Sequence, residues 1–129
     1  MNKTMKEVIA TTGDARPVGP YSQAIRANGF IFVSGQIPID PRTLELVGRE
    51  IEAQCERVLL NVTAILEAAG SSMDKAIRCV IYLQSMTDFA RMNEVYATFF
   101  KNDPPARTMI AVAALPKDCL IEIEVTAIE

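Results

Sequence analysis

From Glu50 onward, apolar residues recur at three- and four-residue steps: Ile51, Cys55, Val58, Leu59, Val62, Ile65, Leu66 and Ala69. That spacing draws one apolar stripe along a helix. Glu52, Glu56, Asn61, Thr63 and Glu67 are assigned to its other faces, and Gly70 suits the left-handed position that stops a helix. A second helix is predicted over Asp88 to Phe100, with Phe89, Met92, Val95, Tyr96, Phe99 and Phe100 largely on one side. Asp103-Pro104-Pro105 ends it, because proline cannot continue a helix and pushes its predecessor out of the helical region. Elsewhere the pattern shortens to that of strands. Lys6 to Thr11, Gln23 to Ala27, Phe30 to Ser34, Ala76 to Leu83, Arg107 to Ala114 and Leu120 to Ile128 are the predicted strands. Asn28-Gly29 supplies a two-residue hairpin turn, since both positions tolerate positive φ. Gly35 to Gly48, with Pro38 and Pro41, reads as a loop.

The resulting order, βββαβαββ over residues 1–129 as one domain, predicts an α+β layer with both helices on one face of a mixed sheet. In the last strand Ile121, Ile123, Val125 and Ala127 face one way, and Glu122, Glu124 and Thr126 the other. Along residues 107–114, Arg107, Met109, Ala111 and Ala113 alternate with Thr108, Ile110, Val112 and Ala114. Both sides are substantially apolar, unlike a strand with one face in water. The second sheet face is therefore expected to be covered, and with no chain left over, a homo-oligomer is the economical cover.

Composition narrows the chemistry. The 129 residues include no His and no Trp, and 13 Lys and Arg stand against 16 Asp and Glu, a net charge of −3. Without histidine, Ser-His-Asp and Cys-His triads and imidazole zinc sites are excluded. A general base must be a tuned carboxylate, thiol or amine. The acidic balance and scattered basic residues argue against a nucleic-acid surface. No apolar run approaches the roughly 20 residues that span a bilayer, and the first seven residues lack the apolar stretch of a signal peptide, so a cytoplasmic protein without membrane contact is expected. Cys55, Cys79 and Cys119 are too widely spaced for a C-x-x-C motif. Cys55 and Cys79 read as small core residues, whereas Cys119, following Pro116-Lys117-Asp118, is expected in an exposed turn.

Several polar residues carry candidate chemistry. Arg107 is either an arginine reaching water from a strand end or an anion clamp whose planar fork matches a carboxylate. Glu122 and Glu124 read as the solvent face of an edge strand. If a partner subunit buries that face, they are carboxylates that must be paired or partly protonated. Tyr21, after Gly19-Pro20, is a half-buried aromatic with a wet hydroxyl. Gly35, between Ser34 and Gln36, permits either a bend or the close approach of a ligand. No P-loop, G-x-G-x-x-G, H-E-x-x-H or G-x-S-x-G is present.

Taken in order, Gly19-Pro20-Tyr21-Ser22-Gln23-Ala24, Ser34-Gly35-Gln36-Ile37-Pro38, Asn61 through Gly70, Asp88-Phe89, Asn93-Glu94-Val95-Tyr96, Pro105-Ala106-Arg107-Thr108, Leu115-Pro116 and Ile121-Glu122-Ile123-Glu124 give the chain its family likeness. It resembles the RidA/YjgF family of reactive-intermediate (enamine/imine) deaminases over nearly its whole length. The resemblance implies a chorismate-mutase-like subunit assembled as a homotrimer with clefts between subunits. It implies hydrolysis of 2-aminoacrylate-type enamines, through imines such as 2-iminopropanoate and 2-iminobutanoate, to 2-oxo acids and ammonia. No cofactor and no metal are implied. Arg107 matches the arginine that grips the substrate carboxylate and Glu122 the glutamate that holds water, with Tyr21 as a third catalytic position. Ser34, Gly35, Asn93 and Met109 match substrate-binding positions. Met109 stands where many members have cysteine, and Ala111 where acidic residues are common. By alternation Met109 shares a face with Arg107, so its thioether is expected to reline the pocket. A non-catalytic protein binding small carboxylates in the same cleft is the alternative. Ribonuclease activity, a label some members carry, fits poorly with the charge balance and the missing histidine.

Overall fold

A computed structural model describes residues 5–129, which include the whole of the predicted first strand. The strands are β1 (Glu7–Ile9), β2 (Ala24–Ala27), β3 (Phe30–Gln36), β4 (Ala76–Leu83), β5 (Ala106–Ala111) and β6 (Ile121–Ile128). The helices are α1 (Ile51–Ala68), between β3 and β4, and α2 (Phe89–Phe99), between β4 and β5. One six-stranded sheet results, in the order β1-β2-β3-β6-β4-β5. Only β4 and β5 pair in parallel; the other neighbours are antiparallel. The expected element order and α+β class are those observed.

Local chemistry explains the boundaries. Asn28 (φ 50°) and Gly29 (φ 82°) both occupy the left-handed region that the tight β2–β3 hairpin requires. Gly70, at φ 79°, closes α1: its N–H reaches the Glu67 carbonyl (3.0 Å) and the Ser71 N–H the Leu66 carbonyl (2.8 Å). These two bonds satisfy carbonyls that a helix end leaves open. Both helices cover one sheet face. Val58, Leu59, Val62, Ile65 and Leu66 of α1, with Met92 and Tyr96 of α2, meet Ile121, Ile123, Val125 and Ala127 of β6 in one buried core. Arg91 ties α2 to the start of α1, its Nη2 2.7 Å from both Glu52 and Glu50. On an exposed surface solvent screens such pairs, so they orient the two helix ends more than they stabilise the fold. No helix among the described residues is long and apolar enough to cross a membrane.

Four sequence expectations need correction. Glu122 and Glu124 do not lie on an edge strand, because β6 inserts between β3 and β4. Strand β5 stops at Ala111 rather than Ala114: its partner β4 ends at Leu83, and the last bridge runs from Val112 N–H to the Leu83 carbonyl. Cys119 is fully buried, with its thiol toward the Ile121 carbonyl (3.3 Å). The turn before it, with Lys117 at φ 54° and Asp118 at φ 58°, swings the side chain inward. Asn61 is buried too; its amide holds the Ile39 carbonyl (3.0 Å) while its oxygen accepts from Arg57 Nε (3.1 Å). A polar residue among helix neighbours reads as surface in sequence, yet here it pins the loop after β3.

The opposite sheet face bears Phe30 and Phe32 of β3, Ile110 of β5 and Ile128 of β6, exposed by 38, 47, 45 and 43%. Within one chain this apolar face is open. The cover expected from sequence is not supplied by any of the described residues.

Candidate functional site

Arg107 is the second residue of β5, the last strand of the sheet, in register with Cys79 of β4. Cys79 lies in the core beneath the helices, so alternation sends the Arg107 side chain to the helix side. There α2 presents Phe89, Asn93 and Tyr96 at helical spacing along one face. The Arg107 Nη1 donates to Asn93 Oδ1 (2.6 Å). Its guanidinium carbon stands 5.0 Å from the Tyr96 ring centroid and 6.0 Å from that of Phe89. Aromatic faces attract a cation at this range and restrict its rotamers. Among the described residues Arg107 has no carboxylate partner, so its only hydrogen-bond acceptor is a neutral amide. Beneath it the Tyr96 hydroxyl is buried with no hydrogen bond of good geometry, and burial pushes its ionisation far above the usual tyrosine range.

Glu122 belongs to the other face. It is in register with Tyr82 of β4, between Ile121 and Ile123, whose side chains enter the core. Opposite it β3 is irregular: Val33 pairs with Val125 and Gln36 with Ile123, leaving Ser34 and Gly35 in a bulge. A Cβ at Gly35 would fall on the Glu122 carboxylate, meeting its Oε2 and lying 3.0 Å from Cδ. Glycine is thus the residue that admits this carboxylate against the backbone. Burial raises the Glu122 carboxyl above the ordinary glutamate range, and the nearby Glu124 charge adds to the shift. Ser34 donates its Oγ to the Ser22 carbonyl (2.6 Å) and its N–H to the Gln23 carbonyl (2.9 Å), joining the bulge to the segment that carries Tyr21. Tyr21 is half exposed.

Two hollows meet at Gly35. One, about 330 Å³, is bounded by Glu122, Glu124, Tyr82 and the 112–116 segment. The other, about 470 Å³, is bounded by Tyr21, Gln36, Ile37, Asp14 and Lys117. The predicted site residues therefore form two groups. Tyr21, Ser34, Gly35 and Glu122 gather around the bulge, and Arg107 and Asn93 at the β5 edge on the opposite side of the sheet. Three residues along and two strands across separate Glu122 from Arg107, about 14 Å between backbones, with the sheet between the side chains. Met109 does not line the Glu122 hollow; it is partly buried against the core on the helix side.

Sequence reasoning missed two positioning residues. Gln23 is buried and clasps the 11–15 segment, accepting from Thr11 N–H (2.7 Å) and donating to the Thr11 and Ala15 carbonyls (both 3.1 Å). Asp14, held there, is buried without a salt bridge among the described residues. Burial pushes its carboxyl up to about 6, against the smaller opposing effects of the Ala15 N–H and the more distant Arg57. A folded-state value above the unfolded one means that the native protein binds the proton more tightly. Stability tied to this group is then fully present below about pH 4 and lost as pH rises through 6. Asp14→Asn is expected to be more stable than wild type at pH 8, by about 1–3 kcal/mol, with the gap closing below about pH 4. Urea denaturation at both pH values measures it; an equal gap at both would assign the effect to packing. Among the described residues no cluster of Cys, Asp and Glu is placed to hold a metal ion.

Comparison with known proteins matches residues 11–129 to the family model described as endoribonuclease L-PSP. A RutC family protein of Pyrococcus horikoshii is 55% identical over 123 residues, covering 95% of this chain and 98% of its own. The solved structure of the E. coli YjgF gene product superposes with a TM-score of 0.92 at 38% identity, covering 95% of this chain and 98% of that one. That of E. coli TdcF with bound serine gives 0.92 at 37% identity, with the same two coverages.

Proposed function

This chain belongs to the endoribonuclease L-PSP family, the RidA/YjgF family of the sequence resemblance, and from that membership we propose that it hydrolyses 2-imino acids to 2-oxo acids and ammonia. The observation that carries the reading is Arg107, a guanidinium backed by two aromatic rings and bonded only to the Asn93 amide. Such a group has its remaining N–H donors available for a small carboxylate. A protonated imine is already a strong electrophile, so the protein need only fix the carboxylate, present water and move protons. Glu122 takes a proton from water as the oxygen bonds to the imine carbon. The proton then passes to nitrogen, and as the C–N bond breaks and ammonia leaves, the carbinol hydroxyl gives its own proton to the freed Glu122 carboxylate, so that C=O is left behind. Serine bound to TdcF, a small molecule with a carboxylate, is a ligand of the matching size and charge.

Arg107 and Glu122 lie on opposite faces of one sheet, so a small substrate meets both only across two copies. We therefore read the functional unit as a homo-oligomer with intersubunit sites, a homotrimer by the family resemblance, its contacts covering the apolar face of Phe32 and Ile110. On this reading the substrates are imines that leak from pyridoxal-phosphate dehydratases, and the protein is a cytoplasmic one that prevents metabolite damage. Tyr21, Ser34 and Gly35 line the pocket from the Glu122 side; no cofactor, membrane or nucleic acid takes part.

The test generates 2-aminoacrylate with a dehydratase and follows pyruvate release. Faster release with the protein present is expected, and an unchanged rate sinks the reading. The alternative, carboxylate binding without turnover, predicts saturable 2-oxo acid binding by calorimetry in a protein that fails this assay.

A further inference from the structure

Glu122 is one of two carboxylates on the same face of β6, separated by Ile123 and hence about 6.6 Å along the strand. The two sit differently. The Tyr82 hydroxyl donates to Glu124 Oε1, and that bond is the main reason the Tyr82 ionisation is raised, so the phenol remains a donor. Glu122, by contrast, lies against the Gly35 backbone and opens on the hollow, with no hydrogen bond from the protein among the described residues. Two carboxylates in one hollow, one anchored and one free, are not equivalent acceptors for a proton.

We propose that Tyr82 and Glu124 are a positioning pair for Glu122: Tyr82 anchors the Glu124 carboxylate, whose negative charge makes Glu122 the group that takes up and returns the reaction proton. The pairing stands on the geometry, and the role rests on the imine-hydrolysis reading. In that reaction one proton must leave water as the C–O bond forms and one must reach nitrogen before the C–N bond breaks. A single carboxyl serves both steps when its affinity for the proton lies closer to neutrality than that of an ordinary glutamate. Burial and the Glu124 charge both push Glu122 that way. The other groups facing it are few. Cys119, buried on the core side, feels the Glu122 charge. Across the proposed subunit seam a second copy brings its Arg107, whose charge opposes the shift in wild type and variants alike. Strand β4 presents Tyr82 and, farther along, Arg78, which is engaged with Thr108 (3.2 Å). Strand β3 presents Ser34 and Gly35, and the 112–116 segment only apolar side chains.

The experiment is a carbon-13 carboxyl titration of the intact protein, with the Glu122 resonance assigned by its loss in Glu122→Gln. Glu124→Gln is expected to lower the Glu122 midpoint by about half to one pH unit, the size of one like charge at this separation. Tyr82→Phe, which keeps the ring and the packing, is expected to move it the same way by less. If turnover is observed, the acidic limb of the pH–rate profile follows the same shifts. Unmoved midpoints in both variants overturn the pairing, whatever the activity. A shifted midpoint in a protein that releases no pyruvate keeps the pairing and removes imine hydrolysis instead.

Discussion

Arg107→Ala is expected to lower kcat/KM for 2-iminopropanoate by about two to three orders of magnitude. Charged hydrogen bonds contribute about 1.5–3 kcal/mol each, and a carboxylate gripped by a fork makes two, while each 1.4 kcal/mol is a factor of ten. The fold should survive, because Arg107 is exposed and anchors no strand. Arg107→Lys is expected to recover little: an ammonium cannot offer the planar fork, nor lie over Tyr96 and Phe89 as a guanidinium does. Full activity in Arg107→Ala would remove the carboxylate clamp. A mixing experiment then locates the site. Arg107→Ala and Glu122→Gln proteins, each inactive alone, should regain activity after their subunits are exchanged. About a quarter of the sites would carry both intact groups by random assortment. No recovery would place both groups of the working site in one chain, against the arrangement on opposite sheet faces.

Gly35→Ala is the second large expectation, and it separates chemistry from stability. The φ of Gly35 is not in the left-handed region, so alanine suits the backbone there. The new methyl would nonetheless occupy the place of the Glu122 carboxylate. Glu122 ends a flexible side chain facing a hollow, so it can rotate away at little cost to the fold. Displacing a water-holding carboxylate by an ångström or more costs about a hundredfold in rate. The expected result is kcat reduced by about that factor, with a Tm within a few degrees of wild type. Unchanged kcat would show that Glu122 does not act from its place against Gly35, and a collapsed Tm would assign Gly35 a purely structural role.

Much of the architecture was legible because it is encoded by neighbours. The stripe from Ile51 to Ala69, the Asn28-Gly29 turn and the Gly70 stop each depend on contacts within a few residues, and each forms as read. Strand alternation likewise placed Ile121, Ile123, Val125 and Ala127 inward and Glu122 and Glu124 outward. The motifs that mark the family stand in the right order without any structure. The unread parts depend on residues distant in the chain. Asn61 and Gln23 look like surface residues until the loops whose carbonyls they hold are brought to them. Cys119 looks exposed until the turn at Lys117 and Asp118 directs it inward.

Amino-acid order was enough to establish the elements, their faces and the α+β layering, since all of these follow from backbone periodicity and side-chain type, and it singled out Arg107 and Glu122 as candidates for the site. It was silent on the insertion of β6 between β3 and β4, on the bulge that lets Glu122 rest against Gly35, and on the α2 cradle around Arg107. Those features came from folding alone, because strand neighbours and helix docking are settled by burial between segments far apart in sequence, where local pattern carries no record of who meets whom.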